Sequence, residues 1–280
     1  MSDYTCFEVT LGEHIAHVVM NRPEKRNNMN RAFWDELPAL IERLDAEAEV
    51  RVILISSTGP HFCGGIDVSM FAPEPGQATG GVHEKKQRPL RFLDTVKRMQ
   101  HSFSVMEACR LPVLVAVQGG CIGGGIDMVT AADMRYATRD AFFTIYETKI
   151  GMTADVGTFP RIVKLMPEGL VRELAYTGRR MPADEALAHG LVNRVFDTQD
   201  DMLAGVMEIA REIAANAPLA VHGCKRAISY SRDHTTQEGL DWIGLWNASN
   251  LHNDEIIEAM SARGEDRVPD FADLPPRKIG

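Results

Sequence analysis

The sequence predicts an α/β fold that ends in a helical region. Two runs typical of buried strands, VILISS at 52–57 and LPVLVAV at 111–117, are each followed by a glycine-rich loop and then by a helical pattern. Strands that alternate with helices in this way indicate βαβ units and a parallel sheet. From Pro160 onward the periodicity is mostly that of helices. We therefore expect a core domain over residues 1–200 and a distinct helical region over residues 201–280.

The elements of the N-terminal part follow from periodicity and turn residues. Residues 7–21 are rich in β-branched and apolar side chains, with Gly12 in the middle, and predict a β-hairpin. The basic, turn-forming segment NRPEKRNNMNR at 21–31 predicts a loop. A helix is expected from Ala32 onward, because the next apolar residues recur at helical spacing: Phe33, Leu37, Leu40 and Leu44.

The middle of the chain alternates between segments rich in breaker residues and regular segments. Residues 72–89 are rich in Pro, Gly and charged residues, and they predict a surface loop. A helix is expected over residues 90–107. Another helix begins in the glycine run near Gly124, and the segments at 134–138 and 141–145 predict short strands.

Composition and charge exclude several classes of function. The formal net charge is -9, whereas a nucleic-acid surface needs clustered Lys and Arg. The longest apolar run, at 111–117, is far shorter than the roughly 20 residues that span a bilayer. The five cysteines include no CxxC pair, which predicts reduced thiols rather than a disulfide framework or a zinc site. The N-terminus lacks a signal-peptide pattern, so we expect a cytoplasmic protein. The nine histidines form no HExxH motif, so we expect no bound metal.

Two glycine-rich loops follow predicted strands: FCGGID at 62–67 and GGCIGGGID at 119–127. Glycine permits positive φ and lets a ligand approach the backbone N–H groups. A helix that begins near Gly124 points its free N–H groups toward the same space. Two such loops side by side can aim two donors at one oxygen and form an oxyanion hole. Tight packing of strand and helix is the alternative, whereas a dinucleotide fingerprint is excluded because the spacing is not GxGxxG.

Three carboxylates lie in or near these loops: Asp127, Glu147 and Asp155. Asp127 falls in the first turn of a predicted helix, where capping and catalysis are equally consistent with its position. Glu147 follows the strand predicted at 141–145, and Asp155 stands eight residues later among apolar neighbours. Apolar surroundings remove solvation from a carboxylate, which raises its pKa toward values suited to proton transfer. A solvated loop position is the alternative for each of these residues taken singly.

At these residues the sequence resembles the crotonase (enoyl-CoA hydratase/isomerase) superfamily. Four separated motifs in the expected order carry the resemblance: VVMNRPEKRNNMN, GPHFCGGIDV, VQGGCIGGGIDMVTAADMRYAT and GLVNRVF. The likeness implies a crotonase-type spiral of ββα units with a helical C-terminal trimerisation region. It also implies homotrimers or dimers of trimers, and acyl-CoA thioester substrates. In this likeness the amides of Ile66 and Gly124 form the oxyanion hole.

The resemblance also implies a binding site for coenzyme A beside the oxyanion hole. The phosphate groups of the coenzyme need basic partners, which the early loop supplies, and the first glycine loop adds further contacts. The candidate residues for this site are Arg22, Lys25, Arg26, Gly65, Asp67 and Val68. A solvated charged loop is the alternative explanation for the basic cluster.

Within the superfamily, the carboxylates resemble those of the Δ3,5-Δ2,4-dienoyl-CoA isomerase branch. Hydratases of the family resemble one another in having Glu at the position of Asp127, and they tend to have Gly at the position of Asp155. The segment at 228–251 also resembles the isomerase branch. By resemblance, Glu147 removes the proton at C2, Asp155 returns a proton at C6, and Asp127 orients or tunes that pair. No metal or redox cofactor is required, and coenzyme A is part of the substrate.

Other functions are compatible with the same motifs. The chain is a hydratase of 2-enoyl-CoA if Asp127 and Glu147 manage a water molecule and Asp155 is incidental. Another crotonase activity, such as Δ3-Δ2-enoyl-CoA isomerisation, is a third candidate. The net charge of -9 and the intact carboxylate trio disfavour a silent scaffold or an RNA-binding relative. Ala259, where Gly is usual, and Arg263, where Phe is common, depart from the family pattern and are interpreted as packing variation.

Overall fold

The structure of the chain, a computed structural model, describes residues 4–71 and 82–278. Within these residues the predicted α/β architecture is confirmed. The strands are β1 (Phe7–Gly12), β2 (Ile15–Met20), β3 (Val52–Ser57), β4 (Val113–Val117), β5 (Gly120–Ile122), β6 (Met134–Thr138), β7 (Phe142–Thr144), β8 (Met181–Pro182) and β9 (Arg194–Phe196). The helices are α1 (Arg31–Glu47), α2 (Val82–Ala108), α3 (Gly124–Ala131), α4 (Thr158–Ile162), α5 (Glu168–Thr177), α6 (Ala183–Ala188), α7 (Gln199–Ala214), α8 (Pro218–Asp233), α9 (Thr236–Asn250) and α10 (Asn253–Gly264).

The described strands form two sheets, a large one in the order β1-β2-β3-β4-β6-β9 and a small one in the order β5-β7-β8. Strands β1 and β2 pair antiparallel, with Phe7 opposite Met20, so the predicted hairpin is confirmed. The rest of the large sheet is parallel. Two consecutive strands followed by a helix recur as β1-β2-α1, β4-β5-α3 and β6-β7-α4. This repetition is the ββα unit expected of a crotonase-type spiral.

The central strands are buried on both faces, because helices cover both sides of the parallel sheet. Every residue of β3 and β4 is buried. One face, with Ile53 and Val115, joins a core that includes residues of α1, α2 and α3. The opposite face, with Leu54 and Leu114, packs against Met202 and other residues of α7. Successive side chains of a strand point to opposite faces. The sequences of β3 and β4 do not alternate between apolar and charged residues, because both faces of these strands are buried.

Helix α1 packs against this core and fixes the loop that precedes it. Oδ1 of Asn30 accepts a hydrogen bond from Phe33 N (3.0 Å), which satisfies a free amide at the helix N-terminus. The buried rings of Phe33 and Trp34 contact the ring of Phe103 in α2, at centroid separations of 6.4 and 5.3 Å. The start of α1, and with it the end of the basic loop, is therefore held against α2.

The predicted boundary between loop and helix in the middle of the chain is wrong. Residues 72–81 of the predicted loop lie outside the described residues, but residues 82–89 belong to α2, which begins at Val82. The segment contains Glu, Lys, Gln and Arg, which are good helix formers. Pro89 removes one backbone donor inside the helix without ending it. Local helix propensity therefore outweighs the Pro and Gly content on which the loop prediction rested.

The chain from Pro160 onward is mostly helical, as predicted, with the short strands β8 and β9 added. Helix α7 starts at Gln199 and packs against the large sheet, so residue 200 falls inside an element of the core. The division of the chain into regions 1–200 and 201–280 stays a prediction. Among the described helices, none combines the length and the apolar character needed to cross a lipid bilayer.

A buried ammonium group ties α8 to the core. Nζ of Lys225 donates hydrogen bonds to the carbonyl oxygens of Met106 and Leu111, both at 2.8 Å. It also pairs with the carboxylate of Asp133 at 2.9 Å, which lies between α3 and β6. Because a buried charge is stable only when paired and hydrogen-bonded, these contacts fix where the C-terminal helices leave the core.

Candidate active site

Two loops meet at one edge of the parallel sheet. Strands β3 and β4 are parallel neighbours, so the loops after their C-terminal ends leave from the same edge. The first loop supplies residues 62–67, and the second supplies β5 and the start of α3. Cys63 N donates to Gly120 O, and Ile122 N donates to Cys63 O, both at 3.0 Å. The two predicted glycine loops therefore lie side by side.

The amides of Ile66 and Gly124 face a common space between these loops. Met29 N donates to Gly65 O (2.9 Å) and Asp67 N donates to Met29 O (3.0 Å), so this pairing leaves the amide of Ile66 unused. Gly124 is the first residue of α3, and its amide has no acceptor within the helix. A Cβ atom placed on Gly124 would lie 3.6 Å from Ile66 N. Both amides therefore lie close together, and neither has an acceptor in these pairings.

Two glycines allow these loops to pack closely. Gly65 has φ of +90° and Gly123 has φ of +52°, values in the left-handed region that glycine adopts without strain. A Cβ atom on Gly65 would lie 3.0 Å from Ile122 O, and one on Gly123 would lie 3.2 Å from Oε1 of Glu147. The missing side chains therefore allow the two loops and Glu147 to approach one another closely.

Asp127 is buried in the first turn of α3 but does not cap that helix. The N-cap position is Gly123, and α3 has no side-chain cap. Oδ1 of Asp127 instead accepts hydrogen bonds from N (2.7 Å) and Oγ1 (2.8 Å) of Thr158, at the start of α4. Burial and the charges of Glu147 and Asp155 raise the pKa of Asp127, the hydrogen bonds from Thr158 oppose the rise, and the net result is a pKa of about 7. The capping hypothesis for α3 is therefore wrong.

Glu147 opens a 3-10 helix, Glu147–Ile150, directly after β7. Burial raises the pKa of Glu147, and the negative charge of Asp155 adds to the rise. Oε2 of Glu147 is buried and has no hydrogen-bond partner among the described residues. A buried polar atom without a partner costs about 1–3 kcal/mol. This oxygen therefore keeps an unused hydrogen-bonding position within the site.

Asp155 is half-buried in the loop before α4, and burial raises its pKa as well. Its carbonyl oxygen accepts a hydrogen bond from Nε2 of Gln100 in α2 (2.7 Å). The charge of Asp155 acts on both Glu147 and Asp127, so the structure brings the three predicted carboxyl groups into one cluster. Like charges in a common apolar site resist simultaneous ionisation, and such groups titrate as a coupled set.

The basic loop lies against the first glycine loop. Gly64 N donates a hydrogen bond to Arg26 O (2.8 Å). The side chains of Lys25 and Arg26 are exposed, whereas Arg22 is partly buried and its Nη1 donates to Asn28 O (3.2 Å). Positive charge is therefore presented next to the loop that carries the Ile66 amide.

Asp67 and Val68 continue the first glycine loop beyond the free amide. Oδ1 of Asp67 accepts a hydrogen bond from Ser69 N (2.9 Å). The hydrogen bonds from Ser69 lower the pKa of Asp67, and the positive charge of Arg22 acts in the same direction. Val68 is 72% exposed. Asp67 therefore stabilises its own turn, and Val68 presents an apolar surface near the basic loop.

Three residues that the sequence analysis did not single out stabilise the site: Asn27, Gln100 and Thr158. Asn27 is buried with φ of +52°, and its Nδ2 donates to two carbonyl oxygens of the loop after β3 (2.9 and 3.0 Å). Gln100 and Thr158 bind Asp155 and Asp127 as described above. Only Asn27 has a local signal, because Asn in a turn-forming segment favours the left-handed backbone. The partners of all three lie at least 31 residues away in the chain.

Comparisons with known proteins identify the family of the chain. Residues 10–274 match the family model described as enoyl-CoA hydratase/isomerase. The chain is 43% identical over 267 residues to the mitochondrial Delta(3,5)-Delta(2,4)-dienoyl-CoA isomerase of Mus musculus. The matched region covers 95% of this chain and 81% of the mouse protein. It is 36% identical over 277 residues to the peroxisomal Delta(3,5)-Delta(2,4)-dienoyl-CoA isomerase of Arabidopsis thaliana. The matched region covers 98% of this chain and 99% of the plant protein.

Solved structures show the same fold over almost the entire chain. The enoyl-CoA hydratase from Bacillus anthracis has a TM-score of 0.85 at 27% identity and covers 95% of this chain and 99% of its own. DspI of Pseudomonas aeruginosa has a TM-score of 0.85 at 23% identity, over 97% of this chain and 98% of its own, a likeness of fold alone. The family match, the mouse relative and the repeated ββα units agree. The chain belongs to the enoyl-CoA hydratase/isomerase (crotonase) family.

Proposed function

We propose that this protein is an isomerase that converts 3,5-dienoyl-CoA to 2,4-dienoyl-CoA. The observation that carries the proposal is the third carboxyl group, because Asp155 joins Asp127 and Glu147 in one coupled cluster beside two free amides. Moving the double bonds takes a proton from C2 and adds one at C6, four bonds away. A base and a separate acid suit this distance better than one rigidly held carboxylate. The names of the mouse and Arabidopsis relatives support the same reaction.

In the proposed mechanism, Glu147 is the base and Asp155 is the acid. Oε2 of Glu147, which lacks a partner, takes the proton from C2. The electron pair moves into the thioester carbonyl, and the resulting dienolate oxygen accepts hydrogen bonds from the amides of Ile66 and Gly124, each worth about 3 kcal/mol in the transition state. Asp155 protonates C6 as the electrons return to form the 2,4-diene. The cycle closes when Glu147 releases its proton and Asp155 takes one up, with Asp127 orienting and tuning the pair.

The proposed site for coenzyme A is the basic loop and the adjoining glycine loop. Exposed Lys25 and Arg26, together with Arg22, place positive charge where the phosphate groups of the coenzyme need it. Gly65 lets the loop pass close to the carbonyl oxygen of Ile122, Val68 offers apolar contact, and Asp67 stabilises the turn between them. The proposed reaction uses no metal and no redox cofactor, because carboxyl groups make both proton transfers.

We propose that the C-terminal helices assemble the chain into a homotrimer or a dimer of trimers. Proteins of this family commonly form oligomers. Large apolar side chains are exposed on α8–α10 and the residues that follow: Ile228, Leu240, Leu245, Leu251, Ile256, Ile257, Met260 and Val268. Apolar surface of this kind marks an interaction site, and copies of the same chain fit it best in this family.

We also propose a cytoplasmic location, which stays a prediction. The mouse relative is named as mitochondrial and the Arabidopsis relative as peroxisomal, so related proteins occupy more than one compartment. Fractionation of cells that express the tagged full-length chain tests the location directly.

Absorbance measurements distinguish the proposed isomerase from a hydratase. The purified protein is mixed with 3,5-octadienoyl-CoA and, separately, with a 2-enoyl-CoA of the same chain length. Conjugation of the diene with the thioester increases near-UV absorbance, whereas hydration removes the enoyl chromophore. We expect rapid dienoyl conversion and little enoyl loss. Rapid enoyl loss without dienoyl conversion would instead identify a hydratase, in which Asp155 is incidental.

Substitution of the two proposed proton-transfer groups tests the mechanism. Glu147→Gln and Asp155→Asn are each expected to lower isomerase turnover by about 10²–10⁴-fold, the range contributed by positioned acids and bases. Asp35→Asn, at an exposed position of α1, serves as the matched control and should keep the full rate. Circular dichroism verifies that all three variants fold. Near-normal rates in both Glu147→Gln and Asp155→Asn would show that the three-carboxyl assignment is wrong.

A further inference from the structure

Thr158 is the direct partner of a proposed functional carboxyl group. It is fully buried at the start of α4, and both of its donors, N at 2.7 Å and Oγ1 at 2.8 Å, bond to the same oxygen of Asp127, Oδ1. No described residue donates a hydrogen bond to Oδ2. The two oxygens of Asp127 therefore have different environments, and only Oδ2 is left for the neighbouring carboxyl groups or for a proton.

The backbone at Thr158 is fixed by the residues on either side of it. Gly157 has φ of +140°, and a Cβ atom placed there would lie 1.8 Å from Nη1 of Arg161. Arg161 is itself anchored to α2, because its Nε donates to Oε2 of Glu107 (2.7 Å) and its Nη2 donates to Oγ of Ser104 (3.1 Å). The turn that aims the Thr158 amide at Asp127 thus depends on a glycine and on an anchored guanidinium group.

A second contact with α2 supports the other end of the same segment. Nε2 of Gln100 donates to the carbonyl oxygen of Asp155 at 2.7 Å. Gln100, Ser104 and Glu107 are spaced four and three residues apart, so they lie on one face of the helix. Helix α2 therefore binds the segment at 155–161 at both ends, and this segment carries Asp155 together with the partner of Asp127.

The contact controls both the position and the charge of Asp127. The titratable groups that act on it electrostatically are Glu147 on the 3-10 helix after β7 and Asp155 before α4. The buried thiol of Cys121 on β5 also lies near it, and burial together with the charge of Asp127 raises the pKa of that thiol. The two carboxylates repel the charge of Asp127, and burial also disfavours it. The donors of Thr158 are the hydrogen-bonding groups that oppose these effects, and they also restrict rotation of the carboxyl group.

We propose that Thr158 is a positioning residue for the isomerase reaction: it binds Oδ1 of Asp127 with both donors and leaves Oδ2 as the oxygen that serves Glu147 and Asp155. This inference rests on the proposed function, since it assigns a role to Asp127 within that reaction. Thr158 itself touches no reacting atom. Its two donors together leave Oδ2 as the free oxygen of Asp127, and its hydroxyl group also affects how readily that carboxyl group ionises.

The test compares Thr158→Val with Thr158→Ser. Valine has nearly the shape of threonine and keeps the backbone donor but lacks the hydroxyl group, whereas serine keeps both donors. For Thr158→Val we expect kcat for 3,5-octadienoyl-CoA to fall at least tenfold while KM changes less than twofold. The limb of the kcat–pH profile that follows ionisation of Asp127 should move to higher pH. Thr158→Ser should restore both properties.

An infrared titration of the substrate-free protein separates this inference from the proposed function. The carboxyl stretch of Asp127 is identified by its loss in Asp127→Asn and is followed as the pH rises. We expect that stretch to persist to higher pH in Thr158→Val than in the wild type. An unchanged titration together with unchanged kcat in Thr158→Val would overturn the inference. A wild type that does not isomerise the dienoyl substrate would overturn the proposed function, and the titration would still decide whether Thr158 controls Asp127.

Discussion

Replacing Asp127 with Asn is expected to stabilise the folded protein at neutral and alkaline pH, even though it removes a proposed functional group. Asparagine has nearly the same shape, and its side-chain oxygen can still accept both hydrogen bonds from Thr158. The substitution removes a carboxyl group whose ionisation is opposed by burial and by the charges of Glu147 and Asp155. The predicted gain in stability therefore comes from the charge and not from new contacts.

The sign and the size follow from the linkage between proton binding and folding. The pKa of Asp127 rises from its ordinary value of 3.8 to about 7 in the folded protein. Between these values the folded state binds more protons than the unfolded state, so the free energy of unfolding falls as pH rises, and the loss is complete above about pH 7. About three pKa units at about 1.4 kcal/mol each correspond to about 4 kcal/mol. Asp127→Asn should therefore match the wild type near pH 4 and exceed it by about 4 kcal/mol at pH 8.

Urea unfolding at one fixed protein concentration measures this difference at pH values from 5 to 8, since an oligomer makes apparent stability depend on concentration. Asp35→Asn is the control, because Asp35 is exposed on α1 and its replacement should leave the pH dependence of the wild type. The advantage of Asp127→Asn should grow steadily with pH. A variant that is less stable than the wild type at pH 8, or an advantage independent of pH, would refute the assignment of the raised pKa to burial and like charge.

Two further predictions concern the amide pair and the oligomer. Gly124→Ala places a Cβ atom 2.9 Å from Sδ of Met29 and 3.6 Å from Ile66 N, inside the space for the substrate oxygen. We expect kcat to fall by about 10²–10³-fold with folding retained, the usual loss for one oxyanion donor, and a normal rate would contradict the oxyanion role. Leu245→Asp puts a charge on an exposed apolar surface of α9 and should shift the mass measured by light scattering toward the 31.0 kDa monomer. Asp35→Asn, at an exposed position of α1 outside this surface, is the control, and an unchanged oligomer in Leu245→Asp would exclude the surface around Leu245 from the interface.

The sequence predicts the elements whose determinants are local. The strand at 52–57 is recognisable because an element buried on both faces needs an uninterrupted run of small polar and apolar residues, and VILISS supplies one. The hairpin at 7–21 is recognisable for a similar reason, since its β-branched residues surround a turn. The Pro and Gly residues of the window 72–89 predict a loop that includes residues 82–89. In the structure, the helical continuity of α2 outweighs that local signal.

The candidate site could be predicted only in its chemistry. Glycines and carboxylates are rare enough in apolar stretches that Gly124 and Asp127 attract attention without a structure. Their geometry depends on residues distant in the chain, such as Thr158 and Gln100, whose types carry no signal of their own. A threonine after a glycine is an ordinary helix start, and a glutamine on a long helix is an ordinary surface residue. Their roles become visible only when the fold places them against Asp127 and the carbonyl group of Asp155.

Two single substitutions separate the charge of Asp127 from its position. Asp127→Asn removes the charge and keeps the acceptor for Thr158, whereas Thr158→Val keeps the charge and removes the hydroxyl donor. The charges of Glu147 and Asp155 act on Asp127, so Asp127→Asn should remove the limb of the pH profile that follows Asp127. Thr158→Val should keep that limb and displace it to higher pH. Loss of the limb in one variant and its displacement in the other follow from the charge of Asp127, whereas loosened packing would lower the rate at every pH alike.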